Sequence, residues 1–173
     1  MPLPAGARIE RFCPQSHAQE IEPLTRLLHE AYAELSRRGM RYLATHQPPE
    51  VTKERLAAGE GYLAFFQDRL AGTITLRAPD PLSTCSYYRR PGVFFFSQFG
   101  VSPAFQGQGV GAALMDLVEA RAASLGAAEL ALDTSERADH LIALYERRGY
   151  RLVDHTQWEG VNYRSVIMSK ALG

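Results

Sequence analysis

The tightest constraint on this chain is a strand, a glycine-rich turn and a helix in immediate succession across residues 93 to 125. The run Val93-Phe94-Phe95-Phe96-Ser97-Gln98-Phe99-Gly100-Val101 is aromatic and β-branched, as a buried strand should be. Pro103 ends it, because proline has no N–H to give a ladder. Gly107, Gly109 and Gly111 then follow at alternate positions. Lacking Cβ atoms, they leave successive amide N–H groups free to turn toward an anion. The helix that follows adds its own unpaired N–H groups and the positive end of its dipole. A phosphate fits there. Two glycines between a strand and a helix would read as a tight connection; three at this spacing point to anion binding.

Two ligand classes compete for those residues. Gly107, Gly109 and Ala112 satisfy the dinucleotide fingerprint G-x-G-x-x-G/A, and Asp133 lies near the distance at which an acidic residue holds a ribose. Read instead as Gln106-x-x-Gly109-x-Gly111, the turn is similar to the acyl-CoA pyrophosphate loop of the GNAT superfamily of N-acyltransferases. A nucleoside-triphosphate P-loop is excluded by the missing Gly-Lys-Ser/Thr ending.

Length and charge narrow the class of protein. A chain of 173 residues is most simply one domain, residues 1–173, large enough to bury a core. Net charge is zero, so neither nucleic acid nor an anionic membrane is expected as a partner. No apolar run approaches the ~20 residues that cross a bilayer. The start Met1-Pro2-Leu3-Pro4-Ala5-Gly6 lacks a basic region followed by an apolar core, so a cytoplasmic location is expected. Two cysteines, Cys13 and Cys85, make neither a disulfide framework nor a metal cluster, and no metal site is expected.

Residues 8 to 13 alternate polar and apolar as a half-buried first strand. From a Ser16 cap, Ile21, Leu24, Leu27, Leu28, Ala31, Tyr32 and Leu35 fall on one face of a long helix that Gly39 ends. A short helix is expected around residues 50 to 58, then a hairpin pairing 61 to 66 with 72 to 76. Residues 78 to 92, with Pro79, Pro81, Pro91 and Arg89-Arg90, read as an exposed loop, the arginines being either solvated or placed for a coenzyme 3′-phosphate or an acidic substrate. Leu114, Leu117, Val118, Ala122 and Leu125 stripe the helix after the turn, and residues 129 to 134 return as a strand parallel to the first. Another helix carries Leu141, Ile142, Leu144 and Tyr145, and two strands around residues 159 to 161 finish the chain as a hairpin. Strand, helix, helix and three strands before the glycines do not make a Rossmann domain, whose fingerprint opens a parallel sheet.

A second motif joins the first. Leu144-Tyr145-Glu146-Arg147-Arg148-Gly149-Tyr150 is similar to the leucine-tyrosine-glutamate-x-x-glycine-aromatic segment of the GNAT superfamily, at the separation the family shows. The resemblance covers residues 93 to 172. It implies an α/β (α+β) fold, with a mixed, mostly antiparallel central sheet of about seven strands flanked by about four helices. It also implies direct acetyl transfer from acetyl-CoA to a primary amine.

By the same resemblance the amides of Gln106, Gly107, Gln108, Gly109, Val110 and Gly111 would hold the pyrophosphate. Backbone groups of Phe99 and Val101 would pair with the pantetheine arm, and the Val101 N–H would polarise the thioester carbonyl. The strand would splay from its parallel neighbour, helped by a bulge at Gly100. Tyr145 would protonate the departing thiolate; without the second motif its helical face, shared with Leu141 and Ile142, would read as that of a core-edge tyrosine, and with it the acid is the favoured reading.

The pattern departs from the family at Ala138, where many members carry asparagine. Residues 93 to 101 contain no acid to serve as base, so deprotonation through water is expected, helped by Ser97, Gln98 or His46; a lone loop histidine is more often solvated. The acceptor would be a small-molecule or peptide amine, chosen by segments 39–50 and 79–92. Tyr42, Tyr87, Tyr88 and Phe94 to Phe96 there suit an apolar or cationic group, or else the core. The terminal hairpin offers an edge for a homodimer. A non-catalytic acyl-CoA-binding module and an NAD-dependent oxidoreductase are the alternatives.

Overall fold

The computed structural model describes residues 3–173. Strands β1 (Ala7–Arg11), β2 (Glu60–Phe66), β3 (Arg69–Arg77) and β4 (Val93–Val101) pair antiparallel in sequence order. β5 (Glu129–Ser135) adds to β4 in parallel, after the helical crossover that a parallel pair needs. β6 (Arg151–Thr156) and β7 (Ser165–Ala171) complete one seven-stranded sheet in the order β1-β2-β3-β4-β5-β7-β6. Only β4 and β5 run parallel, which is the mixed, mostly antiparallel sheet expected. A Rossmann reading is thereby ruled out, because its sheet is parallel throughout.

Helices α1 (Ile21–Ala31), α2 (Ala33–Arg37) and α3 (Pro49–Ala57) precede β2, whereas α4 (Val110–Ser124) and α5 (Asp139–Arg147) follow β4 and β5. The period of two along each strand assigns them to faces. Tyr62 and Ala64 join Phe96, Leu130 and Leu132 in a core with Leu114, Met115 and Val118 of α4 and Tyr145 of α5. Leu63 and Phe65, pointing the other way, pack against Ile21, Leu24, Leu27 and Leu28 of α1 and Leu56 of α3. The β2–β3 turn is Gln67-Asp68, both left-handed at φ 50° and 64°, as the tightest hairpin turns require.

Three expectations change. The long first helix breaks at Tyr32 into α1 and α2, so that five α-helices among the described residues flank the sheet, in keeping with the about four expected. Leu28 is buried under the sheet, but Leu35 packs with Met40, Ala138 and Tyr163 beside α5, and the bend at Tyr32 lets one apolar stripe serve two clusters. Ser16 does not cap it; a short 3₁₀ turn at Ala18–Glu20 leads in without a side-chain cap.

Residues 78 to 92 are not simply exposed. A 3₁₀ turn at Ser86–Arg89 buries Tyr87 and Tyr88, and Tyr88 stacks on Phe95 at 3.9 Å between ring centres.

Finally, the bulge in β4 falls at Gln98 and Phe99 rather than Gly100. Thr73 pairs with Gly100 and Thr75 with Ser97, so two β4 residues oppose one on β3, and Gln98 takes φ 50°. Gly100 answers a different demand, since a Cβ there would stand 2.9 Å from Leu28 Cδ2.

Candidate active site

The bulge opens the sheet. β4 and β5 pair only at Val93–Glu129, Phe94–Leu130 and Phe95–Ala131, and beyond Phe95 they part as expected. Ser102 N–H donates to Ala71 O at 2.7 Å on the β3 side. Antiparallel pairing alternates, so the N–H and C=O of Val101, one residue earlier, face away from β3 into the gap. Two side chains reach carbonyls on that edge: Gln106 Nε2 donates to Val101 O at 3.3 Å, and the Tyr32 hydroxyl donates to Phe99 O at 2.6 Å. The Phe99 carbonyl expected to meet a pantetheine arm therefore already accepts one bond; its second lone pair remains.

At the top of the gap the chain turns into α4. Gly107 and Gly109 are left-handed at φ 78° and 88°, Gly109 being the residue that caps α4. Among the described residues, the backbone N–H groups of Gln106, Gly107, Gln108, Gly109, Val110 and Gly111 meet no acceptor. Six consecutive unpaired donors at a helix N-terminus make a cradle of the kind that an anion such as a diphosphate would fit. Nothing lies within 4 Å of where a Gly107 Cβ would stand. Gly111 sits against the strand instead, its absent Cβ 3.4 Å from Val101 Cγ2. Arg89 and Arg90 precede the start of β4, at the opposite end of the strand from this cradle; Arg89 donates to Ser83 O and Arg90 lies over the Tyr87 ring.

Below the cradle a cavity of about 710 Å³ runs through the gap, lined from both faces of the sheet. Phe96, Leu141 and Tyr145 line it on the α5 side, and Tyr32, Tyr42 and Arg55 on the other. The Tyr145 ring packs edge-on against Phe96 and Tyr150, at 6.3 and 6.1 Å, while its hydroxyl has no hydrogen bond among the described residues. Burial pushes the Tyr145 phenol above its ordinary pKa, so it stays protonated at neutral pH. A protonated, unengaged phenol facing a cavity can give up its proton to a neighbour there.

The expected helpers of deprotonation separate. His46 is exposed and bonded to Thr45. The Gln98 amide is spent: its Oε1 accepts from Gln47 and its Nε2 donates to Thr52 O. Only Ser97 lines the cavity with a free atom, its buried Oγ having no partner among the described residues. Of the aromatics assigned to acceptor choice, Tyr42, Tyr88, Phe95 and Phe96 line the cavity. Tyr87 instead donates to Glu129, and Phe94 packs on the α4 side.

Sequence reasoning missed the charges. Asp133, weighed there only as a ribose partner, stands two residues past the last β4–β5 pair, where Tyr88 Oη donates to Oδ1 at 2.7 Å and Trp158 Nε1 to Oδ2 at 2.9 Å. Removal from water raises its carboxyl pKa above the usual aspartate value, and the two hydrogen bonds pull the other way. Arg55, from α3, and Arg77, from β3, line the same cavity. The available signal was a lone acid in the apolar run Glu129-Leu130-Ala131-Leu132-Asp133.

A splayed parallel pair capped by a row of free amides, with a protonated tyrosine lining the cavity, is an arrangement suited to an acyl-CoA-dependent transferase. Comparison with known proteins makes the class specific. Residues 22–150 match the Acetyltransferase (GNAT) family, and the chain belongs to it. It is thus an acetyl-CoA-dependent N-acetyltransferase acting on an amine.

Among curated proteins it is similar to S-(2-succino)cysteine N-acetyltransferase of Bacillus subtilis (strain 168), 26% identical over 159 residues, covering 89% of this chain and 92% of that one. Among solved structures it resembles PH1933 from Pyrococcus horikoshii OT3, with TM-score 0.74 and 19% identity over 96% of this chain and 99% of that one. It also resembles a GNAT family acetyltransferase from Elizabethkingia anophelis with acetyl-CoA bound, with TM-score 0.67 and 18% identity over 97% and 99%. No described helix is long and apolar enough to cross a membrane.

Proposed function

We propose that residues 1–173 act as one cytoplasmic N-acetyltransferase domain whose acceptor is a small-molecule primary amine received in the cavity between β4 and β5. The observation that carries this reading is the run of six unpaired amides at Gln106 to Gly111, standing over a gap that opens into a lined cavity. Acetyl-CoA brings the acetyl group as a thioester, activated toward nitrogen.

The amides of Gln106, Gly107, Gln108, Gly109, Val110 and Gly111 hold the diphosphate, and Phe99 and Val101 pair their gap-facing backbone with the arm below. Val101 N–H donates to the thioester oxygen, where negative charge develops; losing one such donor typically costs about 3 kcal/mol. Ser97 Oγ accepts a hydrogen bond from the amine or from a water beside it, and the amine's proton leaves to solvent through water. The new C–N bond forms as the C–S bond breaks, Tyr145 gives its proton to the sulfur, and the second proton, shed by the acylated nitrogen, returns through water to the Tyr145 oxygen. Neither the amide product nor free CoA needs a metal.

The Bacillus subtilis relative acts on an S-substituted cysteine by its name, and a cavity of about 710 Å³ suits an acceptor of that size better than a folded protein surface. A second copy would meet the exposed edge at β6, where Leu152 and Val153 are 51% and 41% exposed. Calorimetric titration with acetyl-CoA tests the reading, together with thiol release across a panel of amines. Wild-type protein is expected to bind, and Gly109→Val, which forces a branched residue to φ 88°, to bind at least tenfold more weakly while remaining folded. Equal binding by a folded Gly109→Val protein would refute the cradle.

A further inference from the structure

Two opposite charges, Arg55 and Asp133, line the cavity and act on each other without closing an ion pair among the described residues. Among the described residues Arg55 forms no ion pair; of the five N–H donors of a guanidinium, one is used, Nη1 donating to Gln47 Oε1 at 2.8 Å. That single bond sets its direction. Gln47 is fully buried, its Nε2 donating to Thr52 Oγ1 and to Gln98 Oε1, and Thr52 Oγ1 also accepts from Thr25. A buried polar network therefore holds one terminal nitrogen of the Arg55 guanidinium, and the side chain lines the cavity with its other donors unbonded among the described residues. Burial lowers the arginine's pKa, yet a guanidinium keeps its proton in a protein.

Arg77 differs: it pairs with Asp80 at 3.8 Å and lies over Phe95, so its charge is already met. On the β5 side Asp133 is held by two neutral donors, Tyr88 and Trp158, and forms no ion pair among the described residues. Glu159 also lines the cavity but is exposed.

Arg55 and Asp133 act on each other across the cavity but close no ion pair among the described residues, so a ligand carrying both charges can meet each of them directly. Asp133 stands at the gap, beside the Ser97 edge where acetyl transfer must occur, whereas Arg55 comes from α3, off the sheet. We infer that the acceptor is an amino acid or a similar small zwitterion, its carboxylate bound by the free N–H groups of Arg55 and its amine placed against Asp133. The inference rests on the transferase reading above and adds the acceptor's chemical class. It goes against the aromatic lining, which taken alone suits an apolar or cationic acceptor. A peptide N-terminus would bring its amine without the nearby carboxylate and would leave Arg55 unmatched.

The test is a set of matched acceptors, namely free L-amino acids, their carboxamides and their decarboxylated amines, assayed by thiol release from acetyl-CoA. Wild-type kcat/KM is expected to favour the acid over its carboxamide at least tenfold. In Arg55→Met that ratio should fall to about one, chiefly through KM of the acid. Arg55→Lys, which keeps the charge but loses the planar fork, should fall in between. The melting temperature and the acetyl-CoA Kd of each variant check that fold and donor site persist.

A wild-type ratio near or below one overturns the inference without any variant. So does an Arg55→Met protein that keeps the wild-type ratio, or one that loses acid and carboxamide equally. Should Arg55→Met fail to fold, the wild-type ratio and Arg55→Lys decide. Absence of thiol release with every amine is a separate failure: it overturns the transferase reading, and this inference falls with it.

Discussion

Replacing Tyr145 by phenylalanine separates chemistry from packing, because the structure makes the two expectations opposite. The ring is locked edge-on between Phe96 and Tyr150, and phenylalanine keeps both contacts. The hydroxyl has no hydrogen bond among the described residues, so deleting it strands no partner. Where no bond is lost, a buried hydroxyl contributes little, and Tm should stay within about 2 °C of wild type. A positioned proton donor, by contrast, contributes typically about 10²–10⁴-fold to rate.

The expected result is therefore a kcat lower by at least about a hundredfold, an unchanged acetyl-CoA Kd and an unchanged Tm. The measurements are steady-state thiol release, calorimetry and thermal unfolding on the same preparation. The pH dependence follows from the direction of the phenol's shift. Burial raises its pKa, so the donor form persists through the alkaline range, and wild-type kcat should show no alkaline fall near the ordinary tyrosine value of ~10. A Tyr145→Phe protein within threefold of wild-type kcat would refute the assignment and return Tyr145 to the role of a core-edge side chain.

Gly100→Ala is expected to destabilise by about 1–3 kcal/mol, since its Cβ would stand 2.9 Å from a Leu28 side chain that is itself fully buried; thermal unfolding checks it. Glu60 is held below its ordinary carboxyl pKa, at about 2, chiefly by its hydrogen bonds to Arg121, both 2.9 Å. Because a depressed carboxyl stabilises only while ionised, Glu60→Gln should cost about 1 kcal/mol at neutral pH. That difference in Tm from wild type should shrink as pH falls from 4.5 toward 2. Tyr32→Phe frees the Phe99 carbonyl from its 2.6 Å bond, and the acetyl-CoA Kd should change by less than tenfold if the second lone pair is the one the donor uses.

Which parts could be read from sequence follows the range of the forces involved. The glycine cradle, β4 and α4 are contiguous, and their spacing alone carries their conformations. Tyr145 came with them, since Leu144 to Tyr150 is a local pattern on one helix. The site's charges are another matter. Asp133 meets Tyr88 and Trp158 from segments 45 and 25 residues away, and no local period encodes that meeting. Arg55 sits on α3, where its residue type alone reads as a solvated surface charge; only the Gln47–Thr52–Gln98 network turns it inward. Glycine takes positive φ freely, which points the bulge to Gly100, yet Gln98 takes it, held by buried hydrogen bonds to Gln47 and Thr52. Tyr32 reads as one more member of an amphipathic stripe, and its break is visible only once Leu28 and Leu35 are seen to belong to different cores.

The parting of β4 from β5 has a kinetic corollary. Because residues from both faces of the sheet line the slot, donor and acceptor can be held there together, and neither must depart before the other arrives. Turnover should pass through a ternary complex, with intersecting rather than parallel lines in double-reciprocal plots. Neither thiol of the chain is among the residues that line that slot: Cys13 follows the edge strand β1, and Cys85 is buried in the cluster of Tyr88 and Phe95, so no exposed sulfur stands ready to carry the acetyl group between two half-reactions.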